Sequence, residues 1–348
     1  MSGHDDSSYI NPSFRRKKAP SLVDTETLFT DLTKGDRAAL SRAITLIESE
    51  REDLQEAASN LLQRCLPLSG KSFRIGITGL PGAGKSTFIE AFGKFLTNKG
   101  FKVAVLAIDP TSAVHKGSIL GDKTRMESLS TDPNAFIRPS PSGAALGGVA
   151  RKTRESMYLC EAAGFDIVLV ETVGVGQSET EVHSMVDFFL VLTIAGGGDE
   201  LQGIKRGIME LTDLLLINKD DGTNTDATRR SKAEYAAALH LFPAPESGWT
   251  PRVETCSALE NKGIDKAWSI IDEFRTLTLS NGWIERSRKE QNLFWLRTSI
   301  FNQLEYSFFH HPDIKSQLPD LEQKVADLSI SPFEAAKKLL EIYRQSPK

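Results

Sequence analysis

A glycine-rich run that ends in lysine, serine and threonine lies at residues 79–87 of the chain. It matches the phosphate-binding loop pattern of Gly79, four residues, then Gly84, Lys85 and Ser86. Glycines let the backbone wrap a phosphate with its N–H groups, and the start of a following helix adds positive charge. Lys85 can reach the outer phosphates, and the Ser86 hydroxyl can bind magnesium. The residues predicted to bind a nucleoside triphosphate are Gly79, Leu80, Pro81, Gly82, Ala83, Gly84, Lys85, Ser86 and Thr87.

The residues on either side of this loop have the pattern that the motif requires. Residues 73–78 are short and apolar enough for a buried strand, and Phe88, Ala91, Phe92 and Phe95 recur at helical spacing. A tight structural turn could carry the same glycines, but a strand before the loop and a helix after it favour a phosphate site.

An acidic residue follows the third predicted strand, where the chain reads Glu171-Thr172-Val173-Gly174. GTP-binding proteins usually have Asp-x-x-Gly here, with the acid holding magnesium through water and the glycine N–H sensing the γ-phosphate. Glutamate carries the same charge one methylene further out. The pattern predicts Glu171 as a metal ligand and Gly174 as a nucleotide contact.

The fifth predicted strand ends in Asn218-Lys219-Asp220-Asp221, which matches Asn-Lys-x-Asp. The Asp221 carboxylate can accept hydrogen bonds from N1–H and the exocyclic amine of guanine, which adenine does not offer in that arrangement. Asn218 and Lys219 would brace the base and the loop. Further along, Ser257-Ala258-Leu259 matches an element whose backbone contacts the guanine oxygen. A charged turn is the alternative, but together these loops predict guanine as the base.

Strand and helix patterns alternate around these motifs. Strands are predicted over residues 73–78, 103–108, 165–170, 188–194 and 214–217, with a weaker one over 252–255. The fold class is therefore α/β, a P-loop NTPase with a mainly parallel sheet flanked by helices and with helical extensions at both ends. The predicted divisions are a disordered tail over residues 1–25, an N-terminal helical extension over 26–70, the P-loop domain over 71–280 and a C-terminal helical region over 281–348.

Composition limits the classes of partner. Of 348 residues, 40% are hydrophobic and 25% charged, and the net charge of −4 argues against a nucleic-acid partner. No apolar run approaches the roughly 18 residues of a membrane span. Three scattered cysteines, Cys65, Cys160 and Cys256, are typical of reduced thiols, and we therefore expect a cytoplasmic protein.

The run at residues 171–179, with the segments at 109–112, 117–126 and 198–205, resembles the G3E GTPases and, more specifically, the MeaB/ArgK/MMAA group. The resemblance covers nearly the whole chain from about residue 33. It implies a GTPase that hydrolyses GTP to GDP with Mg²⁺. It also implies that Asp109, Asp122 and Glu171 surround the magnesium with Ser86, and that Lys205 orders the site when a partner docks. The predicted catalytic residues are Lys85, Asp109, Glu171 and Lys205.

Members of that group serve adenosylcobalamin-dependent acyl-CoA mutases, so the resemblance implies a GTPase chaperone for a mutase such as methylmalonyl-CoA mutase. Two alternatives stay open: a metal-insertion G3E GTPase, and a protein kinase linked to amino-acid transport. The C-terminal helices either pack on the nucleotide domain or offer an apolar face to a second copy, as the dimerisation arm of a homodimer. Leu293, Leu296, Ile300, Leu304 and Phe308 mark the apolar stripe of the longest one.

Overall fold

The computed structural model describes residues 24–108, 126–139, 146–172, 178–195 and 206–345. The strands in these residues are β1 (Phe73–Gly79), β2 (Val103–Ile108), β3 (Ala135–Arg138), β4 (Ile167–Thr172), β5 (Phe188–Ile194), β6 (Leu214–Asn218) and β7 (Arg252–Thr255). They form one sheet in the order β3-β2-β4-β1-β5-β6-β7. Every neighbouring pair is parallel, so the predicted α/β sheet is confirmed.

Helices cover both faces of this sheet. They are α1 (Thr25–Thr33), α2 (Arg37–Glu48), α3 (Glu52–Cys65), α4 (Lys85–Asn98), α5 (Glu127–Ser130), α6 (Leu146–Ala162), α7 (Ser178–His183), α8 (Arg206–Glu210), α9 (Thr225–Leu239), α10 (Ile264–Ser280), α11 (Trp283–His310), α12 (Pro312–Ala326) and α13 (Pro332–Gln345). Short 3₁₀ turns lie at Leu66–Leu68 and Gly222–Asn224.

The hydrophobic core has two layers, one on each face of the sheet, because successive side chains along a strand point to opposite faces. On β5, Leu190 and Leu192 pack with residues of α4 and α10, whereas Phe189 and Val191 pack with residues of α1–α3, α6, α7 and α9. Both faces of the five inner strands are buried, which explains why their sequences are mostly apolar. The site loops therefore extend from a rigid, doubly covered sheet.

Two local features differ from the sequence expectation. The edge strand β3 was not predicted, since it has four residues and pairs with β2 alone. The strand predicted over 165–170 lies at Ile167–Thr172, so Glu171 is its fifth residue. The N-terminal helical extension consists of three helices before β1, of which α1 has nine residues and buries only Leu28 and Leu32. Asp24 caps α1 by accepting from the N–H groups of Glu26 and Thr27.

The first half of α11 packs on the sheet domain. Arg288 forms an ion pair with Asp187 at 2.6 Å, and Trp295 Nε1 donates to the Ser184 carbonyl oxygen at 3.2 Å. Beyond Trp295 the helix presents an exposed apolar surface. The hairpin of α12 and α13 has a small core of its own around Ile314 and Leu339. Within the described residues, no helix is both long and apolar enough to span a bilayer.

Candidate nucleotide-binding site

The glycine-rich loop leaves the carboxyl end of β1 and enters α4, the context that the sequence predicted. Gly79 has a φ of 149°, and a Cβ at this position would lie 1.9 Å from the carbonyl oxygen of Leu192 on β5. Gly84 has a φ of 87°, and its Cβ would lie 2.7 Å from Nδ2 of Asn218. Both positions therefore require glycine, because side chains favour neither these backbone angles nor such close approaches.

The Lys85 ammonium folds back over the loop. Its Nζ donates to the carbonyl oxygens of Gly79 at 2.8 Å and Leu80 at 3.3 Å. Burial lowers the pKa of Lys85, and the negative charges of Glu171 and Glu179 oppose that fall. Since Gly84 precedes α4 without a capping side chain, the start of the helix points its N–H groups and positive dipole at the same space. This arrangement can hold a phosphate group.

Ser86 and Glu171 meet at the predicted metal position. The Ser86 hydroxyl donates to Glu171 Oε1 at 3.3 Å, and Glu171 is only 4% exposed. The contact follows from the sheet register, which pairs Ile77 of β1 with Glu171 of β4. A hydroxyl and a carboxylate oxygen are the hard ligands that Mg²⁺ binds beside nucleotide phosphates. The donors present thus fit a magnesium ion.

The predicted guanine loops are joined to the phosphate loop by Asn218, which is 3% exposed at the end of β6. Its Nδ2 donates to the Ala83 carbonyl oxygen at 2.8 Å, and its Oδ1 accepts from the Ala258 N–H at 3.0 Å. The Asp221 carboxylate accepts from the Ser257 hydroxyl at 2.5 Å. Phosphate-binding and base-binding segments therefore form one connected unit.

Other predicted residues of these loops face solvent or lie outside the described residues. Pro81, Thr87 and Lys219 are exposed, and Leu259 is exposed as well, so its side chain contributes no packing. Four predicted site residues lie outside the described residues: Asp109, Asp122, Gly174 and Lys205. Asp109 directly follows Ile108, the last residue of β2.

Sequence reasoning missed two acidic residues around the site. Glu179, on the first turn of α7, is buried, and its charge acts on Lys85. Asp220, the variable residue of the guanine motif, connects α9, β7 and Lys262 through its carboxylate. The only signal for Asp220 was its position between two motif residues, and position alone does not reveal long-range partners.

Comparison with known proteins agrees with this geometry. Residues 40–313 match the family model described as methylmalonyl Co-A mutase-associated GTPase MeaB. GTPase ArgK of Escherichia coli is 48% identical over 89% of this chain and 94% of its own length. The mouse protein named methylmalonic aciduria type A homolog, mitochondrial, is 47% identical over 92% of this chain and 79% of its own length.

A solved structure extends the agreement to three dimensions. The crystal structure of the LAO/AO transport system kinase superposes with a TM-score of 0.76 at 40% identity, covering 93% of this chain and all of the other. The family match covers most of the chain, and relatives matched over most of their own length are named GTPases. The resemblance stated from the motifs is thus confirmed. The chain belongs to the MeaB family of methylmalonyl-CoA mutase-associated GTPases and is itself a GTPase.

Proposed function

We propose that this GTPase binds GTP with Mg²⁺ and couples its hydrolysis to assisting an adenosylcobalamin-dependent acyl-CoA mutase, with methylmalonyl-CoA mutase as the first candidate. The assistance is delivery of the cofactor or protection of the mutase. The observation that carries the proposal is the match of residues 40–313 to a mutase-associated family. The contact of Asn218 with both the phosphate loop and Ala258 supports GTP as the nucleotide.

The proposed chemistry is phosphoryl transfer to water, in which the protein positions groups and stabilises charge. The loop N–H groups and Lys85 hold the phosphates, while Ser86 and Glu171 hold the metal together with Asp109 and Asp122. Bound Mg²⁺ supplies positive charge to the β- and γ-phosphates. We assign Gly174 to contact the γ-phosphate and Lys205 to order the site when the mutase docks.

The test is GTP hydrolysis by the purified chain, alone and with an adenosylcobalamin-dependent mutase from the same source. We expect slow hydrolysis alone and at least a tenfold rise with the mutase, which corresponds to about 1.4 kcal/mol removed from the barrier. A mutase that uses no cobalamin serves as the control partner. Tight GTP binding with an unchanged rate would contradict the mutase partner but leave the GTPase.

The name of the solved relative favours a second candidate, a kinase that phosphorylates another protein. With γ-labelled GTP the two candidates give different products. The GTPase releases the label as inorganic phosphate, whereas the kinase transfers it to a protein side chain. Label on protein would therefore contradict hydrolysis as the main reaction. A cytoplasmic location and the absence of a nucleic-acid partner stay predictions.

We also propose that the chain forms a homodimer through the exposed stripe of α11. Leu296 is 57% exposed, Ile300 49%, Phe301 71% and Leu304 58%. A monomer seldom leaves so continuous an apolar surface in water, and two such helices packed together would bury it. These four residues follow Trp295, whose indole N–H still donates to the Ser184 carbonyl oxygen of the sheet domain.

The homodimer predicts that Leu296→Glu with Leu304→Glu converts a dimer into a monomer, because paired carboxylates cannot be buried in an apolar interface. Light scattering after size-exclusion chromatography measures the mass. Leu241→Glu is the control, since Leu241 is also exposed but belongs to the segment after α9 and not to α11. A wild-type chain that is already monomeric at micromolar concentration would contradict the proposal.

A further inference from the structure

Asp220 is a buried carboxylate between Lys219 and Asp221, at the position where the Asn-Lys-x-Asp motif accepts any residue. Its oxygens accept from the hydroxyl groups of Thr228 at 2.7 Å and Thr255 at 2.9 Å. Thr228 lies on α9 and Thr255 ends β7, so one side chain connects two elements that flank the base loop. Burial alone would raise the pKa of Asp220, but these bonds and Lys262 hold it below its ordinary value. The group is therefore ionised at neutral pH.

The third partner of Asp220 comes from the other base loop. The Lys262 ammonium donates to Asp220 Oδ2 at 3.2 Å and to the Asp220 carbonyl oxygen at 3.1 Å. Lys262 also exchanges two backbone hydrogen bonds of 3.0 Å with Ser257, which closes the loop that carries Ala258. The Asp220 N–H donates to the Cys256 carbonyl oxygen at 3.0 Å. Asp220 and Lys262 thus tie the two loops together at their bases.

Backbone conformation indicates strain at Lys219, next to this tie. Lys219 has a φ of 62° and Asn261 a φ of 56°, and each directly precedes one partner of the tie. A lysine rarely adopts this left-handed conformation, and it persists where surrounding contacts over-determine it. The hydrogen bonds of Asp220 to Thr228, Thr255 and Lys262 are the contacts that hold Lys219 in this conformation.

We infer that Asp220 and Lys262 are positioning residues for guanine recognition: they hold the Asp221 carboxylate at a set distance and angle from the Ala258 N–H. The inference rests on the proposed nucleotide site and names a determinant of its base selectivity. Asp221 must meet N1–H and the exocyclic amine together, and such recognition needs its groups within about half an ångström of the productive geometry. Neither Asp220 nor Lys262 needs to touch the nucleotide.

The test is calorimetric titration of GDP and of IDP, which lacks the exocyclic amine, into the wild-type chain and its Asp220→Asn and Lys262→Met variants with Mg²⁺. For the wild type we expect GDP to bind about tenfold or more tightly than IDP, because one charge-assisted hydrogen bond separates them. We expect that ratio to fall at least about threefold in both variants, because a looser Asp221 discriminates less.

Lys266→Met is the matched control. The side chain of Lys266 is 56% exposed and pairs with Glu254 at 2.8 Å, while that of Lys262 is 54% exposed and pairs with Asp220 at 3.2 Å. We expect the control to keep the wild-type ratio. The ratio separates positioning from simple destabilisation, because a partly unfolded sample loses both affinities by the same factor. If Asp220→Asn does not fold, Lys262→Met still tests the inference, because the Lys262 side chain is 54% exposed and its replacement leaves the core intact.

The outcomes separate the inference from the proposed function. A lowered GDP-to-IDP ratio in the variants supports the inference. An unchanged ratio, whether the affinities are normal or both reduced equally, overturns it and leaves the GTPase proposal intact. A wild-type chain that does not prefer GDP over IDP overturns the guanine assignment and the inference together.

Discussion

Replacement of Lys85 by alanine is expected to lower the affinity for GDP and GTP by at least about a hundredfold, or about 2.7 kcal/mol. Lys85 is a partly buried cation at the centre of the phosphate loop, bonded only to the loop carbonyl oxygens of Gly79 and Leu80 among its described hydrogen bonds. A phosphate competes well for such a group, since charge-assisted hydrogen bonds are about twice as strong as neutral ones. Alanine removes both the charge and the donors.

Calorimetry with GDP and Mg²⁺ measures this loss. Lys99→Ala is the control, because Lys99 lies at the other end of the same helix and stacks on Phe95 at 5.1 Å from the ring centre. We expect the control to bind GDP as the wild type does. Normal GDP affinity in a folded Lys85→Ala variant would contradict the assignment of the phosphate loop.

The phosphate loop could be predicted from the sequence because its determinants are contiguous. Gly79, Gly84, Lys85 and Ser86 lie within eight residues, so spacing alone reports the geometry. The close approach of Gly79 to Leu192 also explains why the first glycine of the pattern is required, although sequence alone does not name the neighbour. The sequence therefore predicted the residues of the loop, but not the distant residues that they contact.

The connections between motifs could not be predicted in this way. Asn218 reaches Ala83 across 135 residues of sequence, and Lys262 reaches Asp220 across 42. No periodicity or spacing encodes such contacts, because they depend on the order of β1, β5, β6 and β7 in the sheet. The same limit hid the pairing of Arg74 with Glu161, which are 87 residues apart.

Amphipathic periodicity predicted the long C-terminal helix but not the occupant of its apolar face. A stripe at Leu296, Ile300 and Leu304 has the same spacing whether it faces a core or a partner. The structure buries Ile284 and Trp295 against the sheet domain, exposes Leu296, Ile300 and Leu304, and packs Phe308 against the core of the α12–α13 hairpin. The first of the two alternatives that the sequence left open therefore holds for the first half of the helix, and the homodimer stays a proposal for the exposed second half.

The second prediction with a large effect concerns stability and the start of β1, at the end of the strand opposite the phosphate loop. Arg74 and Glu161 form an ion pair there with N–O distances of 2.8 and 3.0 Å, and their side chains are 3% and 0% exposed. Glu161 also accepts from the Ser72 hydroxyl and the Gly70 N–H, each at 2.6 Å. Burial raises the pKa of Glu161, but Arg74 and these donors outweigh burial and lower it. The carboxylate is therefore ionised at pH 7.

Glu161→Ala is expected to lower the free energy of unfolding by about 3–5 kcal/mol, because it leaves the Arg74 guanidinium buried without its counter-charge. Asp187 cannot fully replace Glu161 as the partner of the Arg74 guanidinium. Its carboxylate already accepts from the backbone N–H of Arg74 and forms an ion pair with Arg288. Urea unfolding at pH 7 measures the change. For a domain that is stable by about 5–15 kcal/mol, a loss of this size is a large fraction of the total.

Two further variants show whether Glu161→Ala destabilises the fold because the Arg74 guanidinium is left unpaired or because the attraction between Arg74 and Glu161 is lost. Glu285→Ala breaks the pair with Lys289, whose side chains are 75% and 70% exposed, and should leave the free energy of unfolding nearly unchanged because water screens the pair. Arg74→Met with Glu161→Leu removes both charges and fills the space with apolar atoms. If the cost of Glu161→Ala comes from the stranded guanidinium, the double variant must be more stable than the single one. A double variant as unstable as Glu161→Ala would instead mean that the attraction itself stabilises the fold.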